Sequence, residues 1–140
     1  CWYFRAWGHK EAVEKALAQI PADAGVATIK SLGPQLTNRR VLIAVDKYLP
    51  PINLTHVAEA EYVLLDLVDC RLLHTANPRE DYSEAILDIL DTGRFRVEYG
   101  AGRVLLLRDS PSLSQEDEEE LDKVRRYVLG LVEEQRPCWP

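Results

Sequence analysis

The segment AEYVLLDL, residues 60–67, constrains the fold more than any other part of the chain. Its hydrophobic residues stand at consecutive positions, whereas a strand with one solvated face alternates hydrophobic and polar residues. The segment therefore predicts a strand that is covered on both faces, at the centre of a sheet. It also raises a question about Asp66, because an acid at the end of such a strand could serve a pocket or order a turn.

The segments around this strand alternate between helical and extended patterns. They are a helix at 9–20, a strand at 25–29, a turn with a brief helix at 31–40, a strand at 41–45, a loop at 46–60, a helix from 78 to Gly93, a hairpin of 95–99 with 103–109, and a helix after Ser114. This order predicts an α/β fold. The expected sheet is mixed and mostly parallel, has an antiparallel hairpin at one edge, and is flanked by helices.

The ends of the later elements carry recognisable capping and turn residues. Asn77 and Pro78 are typical of a helix start, and Gly93 is typical of a helix end. Ser114 is a good N-cap for a final helix whose first turn is acidic, which suits the positive end of the helix dipole. Gly100-Ala101-Gly102 predicts the tight turn of the hairpin, because glycine accepts positive φ. A dinucleotide site is not indicated here, because a strand rather than a helix follows these glycines.

Composition excludes some classes of function. A net charge of −6 and a pI near 5.1 disfavour nucleic acid as a partner, because phosphate contacts need clustered Lys and Arg. No run approaches the length of about 20 apolar residues that spans a bilayer, and no signal-peptide layout is present. The sequence predicts a domain that is soluble in isolation. Because it contains no Met and begins Cys-Trp-Tyr-Phe, it is expected to be an excised or processed piece.

Four residues are candidates for ligand binding. Asp66 and Asp69 follow the predicted central strand, and sites in open α/β sheets gather beyond the carboxyl ends of strands. Arg39 and Arg40 could hold an anion after the brief helix. For each of the four, a structural or solvated role is the competing interpretation. We expect no catalytic residue, no metal site and no cofactor, because neither the histidines nor the cysteines show a known spacing.

The three cysteines, Cys1, Cys70 and Cys138, form no CxxC motif. Chain termini often lie close together on a domain. A disulfide between Cys1 and Cys138 is therefore an option in an oxidising compartment, where closing so long a loop stabilises a fold by nearly 5 kcal/mol on the chain-entropy account. A lipidated N-terminal cysteine is a further alternative.

Several stretches together resemble a known family. IPADAGV at 20–26, GPQL at 33–36 followed by Arg39, EYVLLDL at 61–67, and the hairpin at 95–108 are similar to the C-terminal part of a family of multi-pass prokaryotic membrane proteins, domain of unknown function 2079. Those proteins look related to membrane glycosyltransferases that use lipid-linked sugars. The chain departs from the family pattern at Gln35, where histidine is expected, and at Gly25, where serine is usual.

The resemblance implies a role outside the cytoplasm. The length of the chain predicts a single α/β domain at 1–140, in which the resemblance marks a family-like core at 9–109 and leaves the acidic C-terminal helix at 110–140 outside it. The domain's expected place is the extracytoplasmic side of the membrane, its expected partner is the membrane-embedded part of its own parent chain, and no catalytic residue carries over. A free-standing binding or self-associating module and a small sugar- or nucleotide-processing enzyme using Asp66 and Asp69 remain alternatives.

Overall fold

A computed structural model describes residues 9–28, 41–44, 60–67, 78–101 and 103–133, with backbone alone at 9, 41–44, 78–82 and 131–133. The described chain contains three helices and five strands. They are α1 (His9–Ala18), β1 (Gly25–Thr28), β2 (Val41–Ala44), β3 (Tyr62–Asp66), α2 (Pro78–Asp91), β4 (Phe95–Ala101), β5 (Val104–Asp109) and α3 (Gln115–Glu133).

The five described strands form one mixed sheet in the order β2-β1-β3-β5-β4. β1 pairs in parallel with both β2 and β3, whereas β5 is antiparallel to β3 and to β4. Of these strands, β5 alone therefore runs against the common direction, and the β4–β5 hairpin forms one edge. The predicted fold class, a mostly parallel α/β sheet with an antiparallel hairpin at one edge, is confirmed.

β3 lies at the centre of the sheet, as its sequence predicts. Every side chain from Tyr62 to Asp66 is buried, and Leu64 and Leu65 are fully buried. Their neighbours across β5 are Leu106 and Leu105, which alternate between the two faces of the sheet and are also fully buried. A strand whose successive side chains are all buried must be covered on both faces.

The helices cover both faces of the sheet. α1 packs over β4 and β5, with its small residues Ala12 and Ala16 buried. Glu11 of α1 lies near Tyr99, which pairs with Leu106, so α1 covers the face that carries these two side chains. We call this the α1 face. α2 and α3 pack on each other and α3 contacts β4, so we assign this pair to the opposite face.

The capping predictions are confirmed where the structure describes them. The Ser114 hydroxyl accepts a hydrogen bond from the Asp117 backbone N–H at 3.1 Å, and the Asp117 carboxylate accepts one from the Ser114 N–H at 2.9 Å. This reciprocal pair is a capping box with aspartate at its third position. α2 ends at Asp91, and Gly93 beyond it has a φ of 70°. Asn77 lies outside the described residues.

The turn of the hairpin begins later than predicted. Gly100 and Ala101 belong to β4, Ala101 pairs with Val104, and the positive φ falls on Arg103 rather than on Gly100. A bulge at Glu98 contributes to this difference, because the pairing passes from Val97 directly to Tyr99. The extra residue places Ala101, in place of Gly100, opposite Val104.

The same bulge places charge along the edge strand. The Glu98 carboxylate lies 3.0 Å from an Arg96 nitrogen and 3.9 Å from an Arg108 nitrogen. The Arg108 guanidinium lies over the Tyr62 ring, 5.8 Å from its centre. Bulges and charged side chains oppose pairing between the edges of two sheets, so this edge is a poor template for self-association through strand addition.

Substitution of two glycines by alanine should change stability in opposite directions. Gly93 needs its positive φ, so Gly93→Ala should lower the free energy of unfolding by about 1 kcal/mol. Gly130 lies inside α3 with nothing within 4 Å of an added Cβ, so Gly130→Ala should raise it by about 0.5–1 kcal/mol. Urea unfolding followed by circular dichroism measures both, and shifts of the same sign would contradict the assigned helix ends.

Candidate binding site at the carboxyl edge of the sheet

The carboxyl ends of the parallel strands define the candidate site. The order β2-β1-β3 sends the chain from β1 to one side and then back across to the other. The carboxyl ends of β1 and β3 therefore border the point where the connections diverge, and open α/β sheets bind ligands at such points. Thr28 ends β1 and Asp66 ends β3.

Asp66 fastens the end of the central strand to the hairpin turn. Its side chain is 3% exposed, and its Oδ2 lies 3.6 Å from a terminal nitrogen of Arg103, whose side chain is 48% exposed. The backbone makes a parallel link, because the Leu67 N–H donates to the Arg103 carbonyl at 2.8 Å. The question raised by the sequence thus has a structural answer, because Asp66 orders a turn.

Thr28 is the second buried polar residue of this edge. Its Oγ1 donates a hydrogen bond at 2.8 Å to the carbonyl of Leu64 on the neighbouring strand. The side chain is 1% exposed, so the hydroxyl serves strand packing and does not face solvent. Among the polar groups described at this edge, the Arg103 guanidinium is the one that combines charge with exposure.

Tyr99 has a buried hydroxyl on the α1 face. That oxygen has no hydrogen-bond partner among the residues that the structure describes. Burial, and then the negative charge of Glu11, raise the pKa of Tyr99 above 10.0, the usual value for tyrosine. The neutral phenol is favoured in the folded chain, because ionisation would place a second negative charge near Glu11.

Replacing Tyr99 by phenylalanine should stabilise the fold. Removing a buried hydroxyl that lacks a partner should raise the free energy of unfolding by about 1 kcal/mol. Because the folded pKa is raised, the unfolded chain loses the proton first as pH rises through 10, and stability falls there. Tyr99→Phe should flatten that decline in thermal melts between pH 9 and about 11. A loss of stability in Tyr99→Phe at pH 7 would show that the hydroxyl has a partner.

The structure describes one of the four predicted ligand-binding residues. Asp66 is described, whereas Asp69, Arg39 and Arg40 lie outside the described residues, as do Cys1, Cys70 and Cys138. Val41, the residue after Arg40, begins β2 at the amino edge, the opposite end of the sheet from Asp66. The sequence did not identify Arg103 as a candidate, because nothing in the local pattern links it to Asp66. The one indication in the sequence was an arginine beside the glycines of a predicted hairpin turn.

The described ranges contain no group of three or more His, Cys, Asp or Glu side chains arranged to hold a metal ion. Within those same ranges, no helix combines the length and apolar character needed to cross a bilayer.

Comparisons with known proteins leave the family unassigned. No family model matches the chain, and neither the curated proteins nor the solved structures contain a match. The resemblance described above therefore stands on the residues quoted for it.

Proposed function

We propose that this chain is a non-catalytic, extracytoplasmic domain of a glycosyltransferase-like integral membrane protein, where it contributes to recognition of the acceptor or of a lipid-linked sugar. One observation carries the proposal. Three of the four stretches that resemble the family contribute to the sheet: β1 begins within IPADAGV, EYVLLDL contains β3, and the hairpin at the edge pairs with β3. The fourth, GPQL with Arg39, lies outside the described residues. Stretches far apart in sequence thus form one continuous sheet, which supports treating them as a single family-like unit.

The burial of Asp66 and its pairing with Arg103 support a non-catalytic role. A catalytic acid must reach its substrate, usually from a cleft. Asp66 is instead 3% exposed and paired with Arg103 at the base of a turn. This position disfavours the alternative of a small enzyme that works through Asp66. The charged, bulged β4 edge disfavours strand addition as a route to the self-associating alternative.

The encoding gene tests the membrane context of the proposal. We expect the reading frame upstream of this segment to encode several apolar spans of about 20 residues each. An upstream frame without such spans would contradict the proposal.

Labelling of cells tests which side of the membrane the domain occupies. Cys1, Cys70 and Cys138 are first replaced by serine, and Glu119→Cys then introduces a thiol at an exposed position of α3. A membrane-impermeant maleimide should label the parent protein in intact cells. Labelling that requires lysis would place the domain in the cytoplasm and exclude an extracytoplasmic role. The same serine-substituted parent without Glu119→Cys is the control for labelling of any other thiol.

A further inference from the structure

The Arg103 guanidinium pairs with a buried carboxylate and is also exposed to solvent. One terminal nitrogen faces the buried Asp66 carboxylate at 3.6 Å, and the side chain is 48% exposed. Among the described residues, Asp66 is the partner of this guanidinium. A guanidinium has five N–H donors arranged in a planar fork, so a single carboxylate contact leaves donors directed to solvent.

The backbone of Arg103 is unusual for a residue of its type. Its φ is 73°, in the left-handed region where glycine and asparagine are the common residues. A glycine at this turn position would avoid the steric cost. Strained positions of non-glycine residues occur preferentially at functional sites. The pairing with Asp66 offsets this cost, and the strain makes Arg103 a candidate for a functional role in addition to holding the turn.

The location of Arg103 agrees with a use in binding. The turn joins β4 to β5 at the carboxyl edge of the sheet. Within it, the Arg103 carbonyl accepts a hydrogen bond from the N–H of Leu67, the residue that follows β3. Asp66 belongs to the same face as Leu64 and Leu106, so the guanidinium that pairs with it reaches toward the α1 face. The arginine is thus held from both its backbone and its side chain at the edge where α/β sheets bind ligands.

We propose that Arg103, oriented by Asp66, binds a phosphoryl group at the carboxyl edge of the sheet. An arginine fork matches two oxygens of a phosphate, and such charge-assisted contacts are stronger than neutral hydrogen bonds. The net charge of −6 repels anions at long range, so binding depends on short-range contacts and is weak, with a Kd on the order of 1 mM for a single phosphate. This site is independent of the membrane context proposed above.

A phosphate titration followed by amide NMR tests the site directly. Potassium phosphate is added to the intact chain while potassium chloride is lowered to keep the ionic strength constant. The Leu67 and Val104 amide signals, which flank the ion pair, should shift and saturate. Signals from α3 should stay unchanged. Shifts that grow linearly without saturation, or that spread over the whole chain, would overturn the proposal.

Two variants separate binding from folding. Arg103→Gly removes the guanidinium while giving the positive φ to the residue that tolerates it best, and it should weaken phosphate binding at least about tenfold. Arg126→Gln removes an exposed arginine from α3 and should leave binding unchanged. Equal phosphate affinity in both variants would overturn the proposal, and the amide spectrum of each variant reports whether it has folded.

Vesicles distinguish the two sources of a phosphoryl group. Phosphatidylglycerol vesicles present it on a lipid headgroup, and phosphatidylcholine vesicles serve as the zwitterionic control. Arg103-dependent binding to phosphatidylglycerol vesicles would assign the site to a headgroup. Binding of free phosphate without vesicle binding would assign it to a soluble ligand, and the absence of both would overturn the proposal. None of these results depends on the upstream gene or on the side of the membrane.

Discussion

Leu65→Ala should lower the free energy of unfolding by about 3 kcal/mol. Leu65 is fully buried in the central strand and faces the fully buried Leu105 across the β3–β5 ladder. Truncation removes the burial of several carbon atoms and leaves a cavity that a sheet held by neighbours on both sides cannot close. Urea unfolding followed by circular dichroism measures the loss.

Leu129→Ala is the matched control for this truncation. Leu129 lies on α3 with 45% of its surface exposed, so the same chemical change should alter stability by less than about 0.5 kcal/mol. If the two variants lost similar amounts, the segment AEYVLLDL would not lie in the interior of the sheet.

Asp66→Ala should have the second largest effect, a loss of about 2 kcal/mol. The substitution removes the carboxylate that pairs with Arg103 and leaves space at a nearly fully buried position. Removing one member of a fully buried ion pair costs about 3–5 kcal/mol. We expect less here because Arg103 is half exposed, and water can solvate its charge once the carboxylate is gone.

Asp109→Ala provides the control for Asp66→Ala. Asp109 also ends a strand, β5, but it is exposed. Its substitution should change stability by less than about 0.5 kcal/mol, as is usual for surface positions. Thermal or urea unfolding of both variants at pH 7 checks the difference. Equal effects would mean that Asp66 has no special structural role.

The sequence predicted those parts of the fold that local patterns determine. Consecutive hydrophobic residues placed β3 at the centre, Ser114 marked the start of α3, and Gly93 marked the end of α2, all as found. Each of these signals depends on a few neighbouring residues. The mixed sheet with an antiparallel hairpin at one edge followed from the alternation of elements and from the limited ways in which short connections join them, whereas the order of the strands comes from the structure.

The turn of the hairpin could not be predicted because the bulge at Glu98 depends on tertiary packing. Without an extra residue in β4, the pairing of Val97 with Leu107 would continue to a longer turn that includes Ala101. With the bulge, Ala101 pairs with Val104 and the turn is shorter. The charges of Arg96 and Arg108 that surround Glu98 come from two strands, and no single window of sequence contains that environment.

The ion pair at the candidate site was unpredictable for the same reason. Asp66 was identified as a polar residue at the end of the central strand, but its partner lies in a hairpin that follows a whole helix. The antiparallel register of β3 and β5 brings the hairpin turn beside Asp66. Only that long-range pairing turns a candidate ligand-binding acid into the anchor of a turn.

A double-mutant cycle of Asp66→Asn and Arg103→Gly tests most directly whether Asp66 serves to hold the turn. With Asp66 present, Arg103→Gly removes the ion pair and relieves the positive φ, and it should lower the free energy of unfolding by about 1 kcal/mol. In the Asp66→Asn background only the relief of strain remains, so the same substitution should raise that free energy by about 0.5–1 kcal/mol. A coupling energy of about 1.5–2 kcal/mol is the predicted result. Additive effects, with no coupling between the two positions, would contradict it.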